Sequence, residues 1–202
     1  FPQRVAEIRA SVEAGADEID VVITRGHVLS GDWEALYDEV RTFREACGDA
    51  HMKVILGTGE LGTLRNVARA SVVAMMAGAD FIKTSTGKEP VNATLPVGLV
   101  MVRAIRDYLE RTGYRVGFKP AGGIRTAKDS LDWLAMMKDE LGEPWLRPEL
   151  FRFGASGLLA DIEPVAASRV HEPGVPRVQV DVARESFTDS GLAGDVLDGP
   201  AG

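Results

Sequence analysis

Two lysines, Lys83 and Lys119, each lie near the end of a short apolar run and are followed by small residues. Their local sequences are FIKTSTGK and GFKPAGG. An ammonium group buried in an apolar strand costs several kcal/mol unless it is paired or neutral, so such a lysine suits amine chemistry better than packing. Neutral lysine amines are the nucleophiles that form Schiff bases with carbonyl compounds. The pattern therefore predicts covalent chemistry at a lysine.

The case for a functional site is stronger if the two lysine segments form neighbouring parallel strands. In that arrangement Lys83 and Lys119 converge at one edge of the sheet, and each lowers the proton affinity of the other by like-charge repulsion. For either lysine alone, the commoner outcome is a side chain that runs along the surface to reach solvent. Because the arrangement occurs twice, we favour a functional pair.

Composition limits the classes of protein to which the chain can belong. Its 202 residues, 45% hydrophobic and 26% charged, are enough to bury the core of one domain. A net charge of -7 and the absence of a basic run argue against binding to nucleic acid or to a membrane surface. The single cysteine, Cys47, excludes an internal disulfide, and no Cys/His cluster has metal-ligand spacing. With no membrane-spanning stretch and no signal peptide in view, we expect a cytoplasmic protein.

Short apolar runs alternate with longer segments of helical period. The predicted strands cover residues 18–23, 51–56, 80–84, 115–119 and 150–153. The predicted helices cover residues 3–14, 33–47, 61–77, 95–111 and 127–141, with Asp32 and Thr126 as N-caps. Strands that recur every ~30 to 36 residues indicate repeated strand–helix units, and hence a parallel sheet in either a barrel or an open doubly wound arrangement.

The placement of polar residues favours the barrel. A polar residue occurs on or just after every predicted strand: Asp20, Lys53, Lys83, Lys119 and Ser156. A barrel places functional side chains from all its strands at one rim, whereas an open sheet concentrates them at one crevice.

Glycine-rich turns follow the last two predicted strands. They contain Gly122 and Gly123 in one case and Gly154 and Ser156 in the other, and a short helix is expected to begin near Gly157. Backbone N–H groups in such loops, together with a helix N-terminus, form the phosphate site of many barrels. The alternative is that these glycines only make tight turns.

Several motifs together carry a resemblance to a known family. The segments EIDVV, KVI, TGEL, FIKTSTGK, VNAT, GFKPAGGIR and FGAS closely resemble those of the deoxyribose-phosphate aldolases, and GDWEALY and MMAG are closest to the animal branch. The resemblance covers residues 1–163. It implies a class I aldolase on a (β/α)8 TIM barrel, without metal or cofactor. It also implies reversible cleavage of 2-deoxy-D-ribose 5-phosphate to D-glyceraldehyde 3-phosphate and acetaldehyde.

The resemblance also implies residue roles. Lys83 would form the Schiff base, Lys119 would keep Lys83 partly neutral and assist proton transfer, and Asp20 would pair with Lys119 and relay protons. Without the family match, Asp20 would more simply be a cap or a surface group. Lys53 has only its strand position in its favour, and we assign it no role. The residues expected to bind the substrate phosphate are Gly87, Lys88, Gly122, Gly123, Gly154 and Ser156.

The chain departs from the family pattern at both ends. A family barrel has three further strands before the one that carries Asp20, so we expect an incomplete barrel of about five parallel strands, with exposed edges, low stability and weak activity of this chain alone. Residues 164–202 are rich in Pro, Gly and Asp, and we expect a disordered tail.

The sequence leaves three functions open. The first is the Schiff-base aldolase, whose partners would be a small phosphosugar and an aldehyde. The second is a phosphosugar-binding or isomerising barrel without covalent chemistry, and the third is a non-catalytic interaction fragment. Association into a homo-oligomer also stays open.

Overall fold

Four short strands form one parallel sheet in the order in which they occur along the chain. In a computed structural model that describes residues 1–168, the strands are β1 (Glu18–Val22), β2 (His51–Ile55), β3 (Phe81–Lys83) and β4 (Gly117–Lys119). An open doubly wound sheet reverses its strand order at a switch point, whereas a barrel adds each new strand beside the last. The uninterrupted order is that of the barrel, as predicted.

The fifth predicted strand, residues 150–153, lies beside β4 but is not a continuous strand. It contacts β4 and the following turn through two isolated parallel bridges, which join Phe118 to Phe151 and Ala121 to Gly154. The predicted position is therefore correct and the predicted regularity is wrong.

A proline in the neighbouring segment explains the interruption. The backbone N–H of Arg152 donates to the carbonyl of Phe118 at 3.2 Å, and that of Gly154 donates to the carbonyl of Pro120 at 2.8 Å. The bond that belongs between these two would come from the N–H of residue 120. Because proline has no N–H, the ladder skips one rung.

Seven α-helices and two short 3-10 helices connect the strands within the described residues. They are α1 (Pro2–Glu13), α2 (Arg25–Ser30), α3 (Trp33–Cys47), α4 (Leu64–Met76), α5 (Leu95–Thr112), α6 (Ala127–Leu141), α7 (Leu158–Ser168) and the 3-10 helices Thr58–Glu60 and Glu143–Trp145. Helix α2 and the 3-10 helices were not predicted, because segments shorter than two turns show no readable period. No helix among residues 1–168 combines the length and apolarity needed to cross a bilayer.

Side-chain caps fix several helix starts. Asp32 accepts a hydrogen bond from the backbone of Ala35, and Thr126 forms a reciprocal capping box with Asp129, so both predicted N-caps are confirmed. Helix α4 begins three residues later than predicted, because Thr63 caps it. Helix α7 continues to residue 168, so the expected boundary after residue 163 falls inside a helix. The remainder of the expected tail lies outside the described residues.

Alternation along β1 separates the core from the candidate site. Ile19 and Val21 are buried, while Asp20 between them points to the other face of the sheet. On the core face, Phe118 of β4 packs against Trp133 of α6 with a ring separation of 6.1 Å. Burial of one such apolar side chain contributes about 1.5 to 3 kcal/mol to stability. The helices therefore cover one face, and the polar strand residues occupy the opposite one.

The sheet is strongly curved towards its polar face. Glu18 in β1 and Arg152 beside β4 belong to opposite edges of the sheet, yet their side chains form an ion pair at 2.6 Å. Side chains from the two edges can meet only if the sheet curls round, as it does in a barrel. The polar strand residues therefore face a common interior.

Candidate active site

Asp20 lies among three lysine side chains in this interior. Lys53 donates to Oδ1 of Asp20 at 2.6 Å, and Lys83 donates to Oδ2 at 2.8 Å. The Nζ atom of Lys119 lies 3.9 Å from the same Oδ2 atom. The lysine side chains are only 1 to 7% exposed. The structure therefore brings Lys83 and Lys119 together, as the sequence pattern predicted, and places Asp20 beside them, as the family resemblance implied.

Strand register explains how these side chains meet. Asp20 pairs with Lys53 across β1 and β2, and Lys83 pairs with Lys119 across β3 and β4. Lys53 pairs in turn with Phe81, so Lys83 stands two residues further along the sheet than the Asp20–Lys53 level. That offset is about 7 Å, which the long side chain of Lys83 can span by leaning back towards Asp20.

The charges of the site keep Asp20 ionised. Burial alone raises the pKa of the Asp20 carboxyl, but the neighbouring ammonium groups of Lys83, Lys53 and Lys119 outweigh burial and lower the pKa from 3.8 to about 2. The carboxylate is therefore charged at every physiological pH. It supplies the countercharge that a group of buried amines requires.

Lys53 is the residue that the sequence reasoning undervalued. We assigned it no role and expected Asp20 to pair with Lys119, yet Lys53 makes the shortest contact to Asp20 and Lys119 makes the longest. A signal was available, because Asp20 and Lys53 are each the third residue of adjacent five-residue strands. Parallel pairing then places them side by side on the same face.

A cavity of about 490 Å³ opens above the lysine pair. Lys83 and Lys119 lie in its wall, whereas Asp20 and Lys53 do not line it. Every residue that the sequence predicted to bind phosphate also lines the cavity: Gly87, Lys88, Gly122, Gly123, Gly154 and Ser156. The amines and the predicted phosphate-binding turns therefore share one space.

The turns around the cavity depend on glycine. Gly122 has a φ of +82°, and a Cβ atom there would lie 2.7 Å from the side chain of Asn92. Only glycine combines this conformation with so close a neighbour. The hydroxyl of Thr84 accepts a hydrogen bond from the backbone N–H of Ala121 at 2.9 Å, and that of Ser85 donates to the carbonyl of Ala121 at 2.5 Å. These bonds hold the turn after β3 against the turn after β4.

Two further features give the cavity an anion-binding character. Helix α7 begins at Leu158, directly after the lining residues Ser156 and Gly157, so the positive end of its dipole lies at the cavity wall. Arg125 also lines the cavity, and the sequence reasoning quoted it in a motif without assigning it a role. Its position two residues after the glycine pair was the signal. Lys88 and Arg125 are thus two cationic side chains at the rim of the cavity.

Comparison with known proteins identifies the family of the chain. Residues 1–162 match the model for the DeoC/LacD family of aldolases. The chain belongs to the DeoC/LacD aldolase family. Among residues 1–168, no group of three or more His, Cys, Asp or Glu side chains is placed to hold a metal ion.

Several similar proteins are named deoxyribose-phosphate aldolase. The human deoxyribose-phosphate aldolase is 70% identical over 160 residues, which are 79% of this chain and 50% of the human protein. The chain thus spans about half the length of the curated relatives it matches. A crystal structure of a candidate deoxyribose-phosphate aldolase from Toxoplasma gondii has 29% identity and a TM-score of 0.74, and covers 82% of this chain and 66% of its own.

A third relative bears on assembly. The deoxyribose phosphate aldolase from Aeropyrum pernix, whose structure is described as tetrameric, has 26% identity and a TM-score of 0.60. The match covers 81% of this chain and 61% of the Aeropyrum chain. The fold of this DeoC/LacD family member is therefore shared with solved aldolases.

Proposed function

We propose that this DeoC/LacD family member cleaves 2-deoxy-D-ribose 5-phosphate reversibly to acetaldehyde and D-glyceraldehyde 3-phosphate, through a Schiff base on Lys83. The observation that carries the proposal is the position of Lys83. Its buried amine donates a hydrogen bond to Asp20, and the residue lies in the wall of the glycine-lined cavity. The high identity to the human deoxyribose-phosphate aldolase supports the choice of substrate.

The covalent step begins when the neutral amine of Lys83 attacks the aldehyde carbon of the open-chain sugar. Loss of water leaves a protonated imine, which draws electrons as the bond between C2 and C3 breaks. The proton of the C3 hydroxyl leaves at the same time, so C3 becomes the aldehyde of D-glyceraldehyde 3-phosphate. The remaining enamine takes a proton at C2, and water then hydrolyses the imine to release acetaldehyde and restore the amine.

The neighbouring groups have distinct roles in this scheme. The ionised carboxylate of Asp20, in contact with both Lys83 and Lys119, stabilises the cationic imine and passes protons between the two amines. Lys119, which lines the cavity, exchanges those protons with the substrate hydroxyl. Lys119 acts as the second amine of this relay.

The phosphate is held by the glycine-rich turns that line the cavity. Gly87, Gly122, Gly123, Gly154 and Ser156 line the cavity. The N–H groups of Gly122 and Gly154 already donate to the backbone carbonyls of Gly154 and Pro120, so these two glycines shape the turn, while the N–H groups of Gly123 and Ser156 serve as neutral donors and the N-terminus of α7 adds a partial positive charge. Lys88 and Arg125 supply full charges at the rim. This arrangement holds the sugar so that its aldehyde end reaches Lys83, which is the positional contribution to catalysis.

Reductive trapping tests the proposal. The protein is incubated with acetaldehyde and sodium borohydride, and the modified peptide is identified by mass spectrometry. We expect one ethyl group on Lys83, and its loss in Lys83→Met. An ethyl group only on exposed lysines, or none at all, would overturn the Schiff-base mechanism. Cleavage activity retained by Lys83→Met would instead favour a barrel that acts without covalent chemistry.

We further propose that the protein acts in the cytoplasm and associates with copies of itself. A phosphorylated sugar carries charge that does not cross a bilayer unaided, which favours a compartment where such sugars are made and retained. The tetramer described for the Aeropyrum relative supports self-association. Cell fractionation tests the first statement, and light scattering coupled to size-exclusion chromatography tests the second.

A further inference from the structure

A second ion-pair group lies on the interior face outside the cavity. Oε2 of Glu18 accepts a hydrogen bond from Nη1 of Arg152 at 2.6 Å and lies 3.2 Å from Nζ of Lys53. Neither Glu18 nor Arg152 lines the cavity, so neither reaches a bound sugar. The aldol chemistry described above therefore leaves both residues without a role.

Arg152 is held from several sides. Its side chain is 17% exposed, and its guanidinium group lies 5.0 Å above the ring of buried Phe81. Its Nε donates to the carbonyl of Pro148 at 2.6 Å. Gly117 makes room for the ring, because a Cβ atom there would lie 2.4 Å from Phe81. The guanidinium group is thus a fixed anchor and not a mobile surface charge.

Glu18 transmits this fixed position to Lys53. Burial raises the pKa of the Glu18 carboxyl, but the hydrogen bond from Arg152 and the charge of Lys53 outweigh burial and hold that pKa below its usual range. Glu18 and Asp20 stand two residues apart on the same face of β1, and both contact the Nζ atom of Lys53. The lysine amine therefore lies between two carboxylates on one strand.

We propose that Glu18 and Arg152 are positioning residues for the aldolase site: together they hold the Lys53 amine against Asp20, which keeps the Asp20 carboxylate between Lys83 and Lys119. Lysine has four rotatable side-chain bonds, so a single contact to Asp20 would leave Lys53 poorly oriented. The second contact, anchored through Arg152, removes that freedom before substrate binds. This inference rests on the proposed function, because it concerns the geometry in which Lys83 reacts.

The main test is Glu18→Gln, which keeps the shape of the side chain and removes its charge. The rate of imine formation at Lys83 is followed by quenching acetaldehyde reactions with borohydride at timed intervals. Binding of inorganic phosphate is measured in parallel. We expect the imine rate to fall about tenfold while phosphate affinity stays unchanged, because only the amine end of the site loses its support. Arg152→Lys should retain more of the rate than Arg152→Met.

Glu140→Gln is the matched control. Glu140 on α6 also accepts hydrogen bonds from two cationic side chains, Arg103 and Arg106 of α5, but this group lies on the helical layer and away from the interior. The same chemical change there should leave the imine rate at the wild-type value. If Glu18→Gln and Glu140→Gln alter the imine rate equally, or if phosphate affinity and thermal stability fall in step with the rate, the positioning role is wrong.

A second readout does not depend on catalysis. Ammonium groups held by carboxylates exchange their protons slowly and give 1H–15N signals in NMR spectra of lysine side chains. We expect such a signal from Lys53 in the wild type and its loss in Glu18→Gln, with the signal retained in Glu140→Gln. If the wild type forms no adduct at Lys83, the proposed function fails while this signal still decides the positioning of Lys53. A Lys53 signal that persists in Glu18→Gln would overturn the inference.

Discussion

The Oδ2 atom of Asp20 lies 2.8 Å from Nζ of Lys83 and 3.9 Å from Nζ of Lys119. A single carboxylate oxygen therefore faces both amines. A proton that leaves one amine has a common neighbour through which it can reach the other, and the shorter contact lies at the amine that we propose as nucleophile. Because Lys53 occupies Oδ1, the carboxylate cannot turn freely between them.

Lys119→Met should slow imine formation at neutral pH about a hundredfold or more, since it removes one member of the proton relay. Lys53→Met should slow it about tenfold, because Lys53 acts only through the orientation of Asp20. Timed borohydride trapping at Lys83 measures both rates. Equal losses in the two variants would count against Lys119 as a member of the proton relay.

Asp20→Asn should destabilise the protein in a pH-dependent way. The folded-state pKa of Asp20, about 2, lies below its ordinary value of 3.8, so the ionised carboxylate stabilises the fold. This contribution is about 2 kcal/mol, is fully present above pH ~4, and is lost as the pH falls towards 2. Urea unfolding of wild type and variant at a series of pH values measures it.

The direction in which the stability difference changes with pH decides whether this explanation is correct. The difference in unfolding free energy between wild type and Asp20→Asn should be largest at neutral pH and should shrink between pH ~4 and 2. Parallel stability curves over that interval, or a difference that grows in acid, would show that the carboxylate is not stabilised by the lysines.

Gly122→Ala should weaken phosphate binding as well as stability. The φ of +82° is unfavourable for alanine by about 1 to 2 kcal/mol, and the new methyl group would meet Asn92. Gly113→Ala is the matched control, because Gly113 has a φ of +76° with no atom near its Cβ position and lies at the end of α5. Both variants should lose stability, while only Gly122→Ala should lose affinity for inorganic phosphate in a calorimetric titration. Equal affinities would remove the turn at Gly122 from the phosphate site.

Lys88→Met and Arg125→Met should each raise KM for the phosphosugar about tenfold with little change in kcat, because the rim charges attract the phosphate without touching the reacting carbon. Lys128→Met is the control, since Lys128 is exposed on α6 and does not line the cavity. Steady-state cleavage assays at low and high salt separate the effects. A loss confined to kcat would place these side chains in the chemistry instead.

The sequence was most informative where the physical cost of a residue is high. A lysine inside an apolar strand is expensive to bury, and because this pattern occurs twice, Lys83 and Lys119 could be selected as a pair. The glycine turns could be located because glycine adopts conformations that other residues avoid. Strand positions were also predictable, since apolar runs bounded by glycine leave few alternatives.

The remaining features of the fold and the site depended on distances that no sequence pattern encodes. The role of Lys53 rests on which carboxylate its flexible side chain reaches, and the pairing of Glu18 with Arg152 rests on how far the sheet curls. The missing rung beside Pro120 needed the register of the fifth segment, although proline itself was visible in the sequence. Local propensity gives the elements, whereas curvature and register arise only when all of them pack together.

The ion pair between Glu18 and Arg152 joins residues 134 positions apart. Closing so long a segment of chain is entropically unfavourable until the intervening strands and helices have formed. This contact should therefore be among the last to appear during folding. A label that reports on it would register the completion of the native topology and not the initial collapse.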